Sequence, residues 1–245
     1  MQQIFCFALG NIWRWSKKKN TAGLLRHIQK LDIAGVELTF SSKELLYNFK
    51  LTADQIKWLR SLEYVSIHAP FRLVSKADNN AEVLKQLEYV SSLYKMVNAR
   101  NVIIHPDELP QPAILSRYSM RFSTENLKKK RGANIEKLAL IFDRYQDLGF
   151  CLDVSHAYSW SRFETGDLVK RFSGKITQVH LSGTYRRRDH QSLRSVSSMF
   201  IKSIEPVISL NVPIVIEEDI DVESSKYLVE EISYIKSLFH HQAPS

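Results

Sequence analysis

Short apolar runs alternate along the chain with longer segments in which apolar residues recur every three or four positions. The first pattern is typical of strands buried on both faces of a parallel sheet, and the second is typical of amphipathic helices that cover such a sheet. The clearest helical repeat is formed by Val83, Leu87 and Val90 within residues 81–97. The chain is therefore predicted to alternate strands with helices.

Eight such units follow one another without a repeat, a linker or a low-complexity segment. Strands are predicted over residues 3–9, 34–39, 64–68, 101–105, 121–125, 150–153, 176–181 and 213–217. Helices are predicted over residues 21–31, 52–62, 81–97, 111–116, 134–148, 166–172, 195–210 and 222–238, and residues 182–192 are predicted to be a polar loop. Eight strand–helix units in 245 residues predict an α/β fold, a single (β/α)8 TIM barrel, with residues 1–245 as one domain.

Most of the predicted strands end in a side chain that binds metal ions well. These strand-end residues are His68, His105, Glu125, Asp153, His180 and Glu217. The carboxyl ends of all barrel strands meet at one rim, so we expect these side chains to gather there. They would repel one another or lie unpaired unless a divalent cation joined them. Four of them, which close successive strands, are expected to bind one ion: Glu125, Asp153, His180 and Glu217.

The remaining histidines allow more than one ion. His68 and His105 would lie beside Glu125, which could bridge two ions. His156 and His190 would hold a third ion or orient a substrate. The alternative is that each of these residues is an isolated hydrogen-bonded or solvated side chain, which is the simpler interpretation for any one of them alone.

Composition limits the function classes only loosely. The net charge of +8 and the isoelectric point near 9.4 favour an anionic partner, such as a phosphorylated metabolite or nucleic acid, although many basic proteins are simply well solvated. The two cysteines, Cys6 and Cys151, are far apart and belong to no CxxC pair, so we expect neither a disulfide framework nor a thiolate zinc site. The apolar runs are too short for a membrane span, and we expect a cytoplasmic protein with no membrane partner.

Several short motifs stand at or near the ends of the predicted strands: GVEL at 35–38, IHAP at 67–70, IHP at 104–106, TEN at 124–126, LDVSHA at 152–157, VHLS at 179–182 and PIVIE at 213–217. Together they resemble the motifs of the xylose-isomerase-like TIM barrel superfamily, which includes sugar-phosphate isomerases and epimerases and endonuclease IV. The resemblance covers most of the chain and implies a metal-dependent enzyme.

The endonuclease IV branch implies a phosphodiesterase with up to three zinc ions. One ion would be bound by His68, His105 and Glu125. A second would be bound by Glu125, Asp153, His180 and Glu217, and a third by His156 and His190. The third ion of that branch also takes an aspartate, but this chain has Arg188 at the matching position and Asp189 next to His190. The glycine-rich segment that follows Glu-Asn in those nucleases is replaced here by the basic residues 128–131.

The isomerase and epimerase branch implies one ion on Glu125, Asp153, His180 and Glu217. That ion would bind an open-chain sugar, and the two catalytic residues Glu125 and Glu217 would exchange a proton with the substrate carbon. Glu37 would orient a ligand imidazole, and Arg186 resembles the substrate-contacting arginine of ketose 3-epimerases.

Charged and aromatic residues near the same rim supply further substrate-binding candidates. Arg186 and Arg188, in a run of three arginines, could clamp a phosphate, or could form an ordinary solvated loop. Trp13 could stack on a sugar or base, or could pack as a lid. The same alternatives hold for Trp15.

The sequence thus predicts an enzyme with one to three divalent ions, Mn²⁺ or Zn²⁺. Its preferred function is an isomerase or epimerase whose partner is a small-molecule sugar or sugar phosphate. The alternative is an endonuclease IV-like phosphodiesterase that acts on abasic DNA or another phosphoester. A metal-stabilised binding protein is a third class, and the sequence leaves oligomerisation open.

Overall fold

The computed structural model describes residues 3–16, 21–74, 80–186 and 188–240. Its centre is a closed barrel of parallel strands in the order β1-β10-β7-β6-β5-β4-β3-β2, so the predicted (β/α)8 TIM barrel is confirmed. The barrel strands are β1 (Phe5–Ala8), β2 (Gly35–Thr39), β3 (Tyr64–His68), β4 (Asn101–Ile104), β5 (Phe122–Glu125), β6 (Gly149–Asp153), β7 (Ile176–Leu181) and β10 (Ile214–Ile216). Strands β3 and β7 have the bounds predicted from the sequence.

Two further strands, β8 (Gly183–Tyr185) and β9 (Arg188–Gln191), form an antiparallel hairpin beyond β7. The prediction that residues 182–192 form a polar loop was therefore wrong, because two short strands lie within this segment. The hairpin lacks the apolar alternation that identifies a strand in a sequence, because its residues are mostly half-buried or exposed.

Helices surround the barrel and follow its strands. They are α1 (Leu25–Ile28), α2 (Lys43–Tyr47), α3 (Ala53–Ser61), α4 (Asn80–Val97), α5 (Pro112–Leu115), α6 (Ile135–Arg144), α7 (Val154–Tyr158), α8 (Glu164–Phe172), α9 (Ser198–Ser203), α10 (Glu205–Ile208) and α11 (Ser225–His240). The single helix predicted over 195–210 is two short helices, because Pro206 lies in the first turn of α10 and cannot donate a backbone hydrogen bond to α9. No helix among the described residues is long and apolar enough to cross a membrane.

The apolar core lies between the barrel and its helices, whereas the barrel interior beneath the rim is partly polar. The Tyr64 hydroxyl and the Asn101 amide both donate to Gln178 Oε1, at 2.8 and 3.1 Å. Ser123 Oγ donates to Asn101 Oδ1 at 2.8 Å. These buried groups satisfy one another, so they hold the strands in fixed positions below the rim.

Close strand contacts require a small residue at Gly35. A Cβ atom on Gly35 would lie 2.4 Å from both Cys6 Sγ and the carbonyl oxygen of Tyr64. The missing side chain lets β2 approach β1 and β3, and this approach positions Glu37 inside the barrel.

Candidate metal centre

The predicted ligand residues meet at the carboxyl ends of the barrel strands. They are supplied by β3 (His68), the residue after β4 (His105), β5 (Glu125), β6 (Asp153), β7 (His180) and the residue after β10 (Glu217). All but Glu217 are buried, and Glu217 has a side-chain exposure of only 16%. Together with His156 and His190 they form three groups, of which the first two share Glu125.

The first group consists of His68, His105 and Glu125. Glu125 Oε1 lies 2.8 Å from His105 Nε2 and 3.9 Å from His68 Nε2. Phe71 covers this group from the solvent side, because its ring stacks on His105 and meets His68 edge-on.

The central group consists of Glu125, His180 and Glu217. His180 Nδ1 lies 2.9 Å from Glu217 Oε2 and 3.4 Å from Glu125 Oε2. Glu125 therefore faces the first group with one oxygen and the central group with the other. Cys151, two residues before Asp153 on β6, is also close to Glu125 and His180, and burial raises the pKa of its thiol to about 12.

The third group consists of Asp153, His156 and His190. Asp153 thus clusters with these histidines, although it also lies opposite His180 in the β6–β7 pairing. Asp189 approaches the same place, because its Oδ2 atom lies 3.7 Å from His156 Nε2 and 3.9 Å from His190 Nε2. A carboxylate therefore reaches both histidines even though Arg188 stands where the nuclease pattern has its aspartate.

Hydrogen bonds fix the ring orientation of four of the histidines. Three of them donate from Nδ1 to a backbone carbonyl oxygen at 2.9–3.0 Å: His68 to Ala69, His156 to Asn126 and His190 to Glu217. In His180 the Nε2 atom lies 3.2 Å from Glu37 Oε2 and 3.0 Å from the side-chain amide nitrogen of Gln178. An acceptor on one ring nitrogen leaves the lone pair of the other free to bind a metal ion.

His105 is different, because its second nitrogen faces a donor. Arg131 Nη1 lies 3.2 Å from His105 Nδ1, and Arg131 Nη2 donates to Asp107 at 2.6 Å. A guanidinium has only donors, so His105 Nδ1 accepts and the ring proton is on Nε2, where it is donated to Glu125.

The clustered charges change the proton affinities of the site. Burial opposes ionisation of Glu125, but His105 and its neighbours outweigh burial and hold the pKa of this carboxyl well below its ordinary value. Burial also opposes ionisation of Glu217, whereas His180 helps to lower its pKa to about 2. Burial lowers the pKa of His180, yet anionic neighbours such as Glu37 raise it well above its ordinary value. The site therefore favours a positive charge, carried by a proton or a metal ion.

Three buried side-chain atoms of the predicted ligands have no hydrogen-bond partner among the described residues: Asp153 Oδ2, His180 Nδ1 and Glu217 Oε2. Leaving such atoms unpaired costs about 1–3 kcal/mol each, and more when the group is charged. Imidazole nitrogen and carboxylate oxygen are ligands that Zn²⁺ and Mn²⁺ accept. The residues present therefore fit a divalent cation.

Several residues that hold these ligands in place were not predicted from the sequence. Asn126 pairs with both the backbone N–H and the carbonyl of Asp153, at 2.9 and 2.7 Å. Gln178 donates to Glu37 Oε2 at 2.8 Å, and Ser66 donates to the same oxygen at 2.8 Å. Gln178 could have been found from the sequence, because residues two positions apart on a strand lie on the same face and His180 faces the barrel interior.

Two pockets flank the metal groups. The basic pocket has a volume of about 800 Å³ and is lined by residues that include Lys128, Lys129, Lys130 and Arg186. The aromatic pocket has a volume of about 520 Å³, and its walls include Trp13, Phe71, His190 and Glu217. Asp189 lines both pockets.

The other predicted substrate residues lie in different places. Arg188 is exposed on β9 and lines neither pocket, while Arg187 is outside the described residues. Trp15 is buried, and its indole N–H donates to the carbonyl oxygen of Ile220 at 3.2 Å, so it packs in the core.

No protein-family model matches the sequence, and no curated protein matches it either. The structure is similar to a D-tagatose 3-epimerase-like protein, at 18% identity and a TM-score of 0.69, with 98% of each chain covered. It is similar to endonuclease IV from Thermus thermophilus, at 18% identity and a TM-score of 0.69, covering 97% of this chain and 99% of that one. The probable 3-DHS dehydratase AsbF from Bacillus anthracis superposes at 11% identity and a TM-score of 0.72, covering 96% and 98%.

These likenesses confirm the resemblance seen in the sequence at the level of the fold. The chain has the parallel barrel fold that the epimerase-like and endonuclease IV structures share.

Proposed function

We propose that the protein is a metal-dependent isomerase or epimerase that acts on a sugar or sugar phosphate. The observation that carries the proposal is the central group, in which two buried ligand atoms, His180 Nδ1 and Glu217 Oε2, lie 2.9 Å apart and have no hydrogen-bond partner elsewhere among the described residues. Glu37 holds the other ring nitrogen of His180. This arrangement supports one divalent ion held by Glu125, His180 and Glu217, with Asp153 beside them.

A divalent ion bound there would act as a Lewis acid and make the C–H bond beside a substrate carbonyl more acidic. The protein's own part of the reaction is proton transfer. Glu125 and Glu217 come from different strands, and their low pKa values keep both ionised at neutral pH. One carboxylate would take the proton from the substrate carbon and the other would return it, which inverts that carbon or moves the carbonyl.

The basic pocket supports a phosphorylated substrate. Lys129, Lys130 and Arg186 bring positive charge to a pocket that also contains the hydroxyl groups of Ser155 and Thr184. Guanidinium, ammonium and hydroxyl donors together suit a phosphate group. A sugar phosphate would therefore extend from the central group into this pocket.

A second candidate function is a multi-metal phosphodiesterase of the endonuclease IV type. It is favoured by Glu125, which faces His105 with one oxygen and His180 with the other. A carboxylate in this position can bridge two ions, and paired ions are the usual catalysts of phosphoester hydrolysis.

Solvent deuterium incorporation distinguishes these two functions. The protein would be loaded with Mn²⁺ or Zn²⁺ and incubated in D₂O with a panel of ketoses and ketose phosphates, followed by NMR. Because proton transfer passes through a carboxylate that exchanges with solvent, an isomerase or epimerase should incorporate deuterium at the reacting carbon. Bound metal would be counted in the same preparation, with one tightly held ion expected.

A matched pair of variants controls this assay. Glu125→Gln should abolish incorporation and weaken metal binding, whereas Glu223→Gln, an exposed carboxylate change, should do neither. The proposal fails if no substrate acquires deuterium while the protein cleaves an abasic-site oligonucleotide and loses that activity in Glu125→Gln.

A further inference from the structure

The basic segment, residues 128–131, contacts two of the three metal groups from its two ends. Arg131 reaches His105 in the first group, and Lys128 reaches Asp189 beside the third group. The short helix Lys129–Arg131 lies between these contacts and ends at Gly132, which has a φ of +71°. The segment is thus shaped so that its first and last side chains point to different groups.

Arg131 competes with a metal ion for His105. A neutral imidazole carries one proton, and a metal bound through Nε2 requires that proton on Nδ1. Arg131 donates to Nδ1, so it stabilises the opposite form, in which Nε2 carries the proton and donates it to Glu125. A metal ion at the first group would therefore have to displace the guanidinium, which Asp107 anchors at 2.6 Å.

Lys128 acts on the third group in a different way. Its ammonium lies 2.7 Å from Asp189 Oδ2, the same oxygen that faces His156 Nε2 and His190 Nε2. The ammonium places a positive charge next to this oxygen. A metal ion bound to the same oxygen would be repelled by Lys128 unless the lysine side chain moved away.

The central group has no such competitor. Among the described residues, no lysine or arginine nitrogen forms an ion pair with Glu125 or Glu217, and the charges around these carboxylates come from histidines. The three groups therefore differ in whether a lysine or arginine of the protein already lies where a metal ion would bind.

We propose that the basic segment is a built-in set of competing cations that weakens metal binding at the first and third groups and leaves the central group as the tight site. Arg131 and Lys128 then determine how many ions the protein holds. This inference deepens the proposed function, because a one-ion reaction rests on the same selectivity, but its test measures metal binding alone.

The experiment counts ions in the full-length protein and four variants. Each protein would be stripped with chelator, equilibrated with Zn²⁺, and assayed for bound metal by mass spectrometry and for affinity by calorimetry. The wild type should hold one tight ion, whereas Arg131→Ala and Lys128→Ala should each bind a second ion at least tenfold more tightly than the wild type does. Lys130→Ala removes one charge from the same segment, and Lys130 forms no ion pair with the described residues of either group, so the number and affinity of its bound metal ions should match those of the wild type. The double variant Arg131→Ala with His105→Ala should lose the added ion again.

Circular dichroism and thermal unfolding would check that each variant is folded, and Arg131→Gln serves if the alanine variant is not. The inference is overturned if the wild type already holds two or three tight ions, or if second-ion affinity in both Arg131→Ala and Lys128→Ala stays within twofold of the wild type. If the variants gain ions while no sugar substrate incorporates deuterium, the proposed function fails and this inference stands.

Discussion

The two pockets on either side of the candidate metal centre share Asp189 but differ in the chemistry of their walls. The basic pocket presents Lys129, Lys130 and Arg186 together with hydroxyl groups. The aromatic pocket places the exposed ring of Trp13 beside Glu217 and three further carboxylates, those of Asp189, Glu218 and Asp219. The mouth of the barrel therefore has an electrostatic direction, with positive charge on the side of the basic pocket and negative charge on the side of the aromatic pocket.

This electrostatic direction constrains how a substrate would lie. An anionic group is attracted to the basic pocket and repelled from the carboxylates of the other one. The hydroxyl groups and carbon chain of a sugar suit carboxylate acceptors and an aromatic surface. We therefore expect a phosphorylated sugar to bind in one orientation, with its reacting carbon over the central group.

The largest effect is expected when the carboxylate of Glu217, which lines the aromatic pocket, is replaced. Glu217→Gln should lower kcat at least about a hundredfold, because it removes both a proposed metal ligand and a proton-transfer group. Bound metal and deuterium incorporation would be measured together. Full activity in this variant would contradict the assignment of Glu217.

The next test removes the charge of the basic pocket. The triple variant Lys129→Ala, Lys130→Ala and Arg186→Ala should raise KM for a phosphorylated substrate about tenfold or more, since each charge-assisted hydrogen bond contributes about 1.5–3 kcal/mol. KM for the unphosphorylated analogue should change little, and added salt should reproduce part of the effect. Equal changes for both substrates would identify this pocket as an ordinary solvated surface.

A smaller effect is expected in the aromatic pocket. Trp13→Ala should raise KM about two- to tenfold for phosphorylated and unphosphorylated sugars alike, because stacking on an aromatic ring contributes about 0.5–1.5 kcal/mol. Trp13→Phe keeps a ring and should retain most of the affinity. An effect confined to the phosphorylated substrate would show that the two pockets are not functionally distinct.

The smallest expected effect concerns the acid stability of the metal-free protein. The pKa of Glu217 is lowered to about 2 in the folded state, so its ionised form stabilises the fold above its unfolded pKa of about 4.3, and this contribution is lost as the pH falls towards 2. Glu217 should therefore account for a loss of less than about 1 kcal/mol in the free energy of unfolding as the pH falls from 7 to 4. Urea unfolding of the metal-free protein in the presence of a chelator, at a series of pH values, measures this contribution, and Glu217→Gln is the control. The expectation is contradicted if the free energy of unfolding depends on pH in the same way in the variant and in the wild type.

The barrel itself was predictable because its strands are continuously apolar and its helices are amphipathic. Strands β3 and β7 were predicted to the residue, whereas the β8–β9 hairpin was missed. That hairpin is stabilised by its own pairing and by neighbours rather than by an apolar face, and its tip and end use positive φ angles at Arg186 and His190. Positive φ angles at residues other than glycine cannot be recognised from the sequence, because these residues usually adopt negative φ angles.

The sequence by itself determined which side chains stand at the strand ends, because parallel strands of a barrel finish at one rim. It did not determine how each ligand is held. His180 meets Glu37 across 143 positions of the chain, and His105 meets Arg131 across 26. Whether a histidine nitrogen faces an acceptor or a donor decides whether it is ready for a metal ion, and only the folded chain brings those partners together.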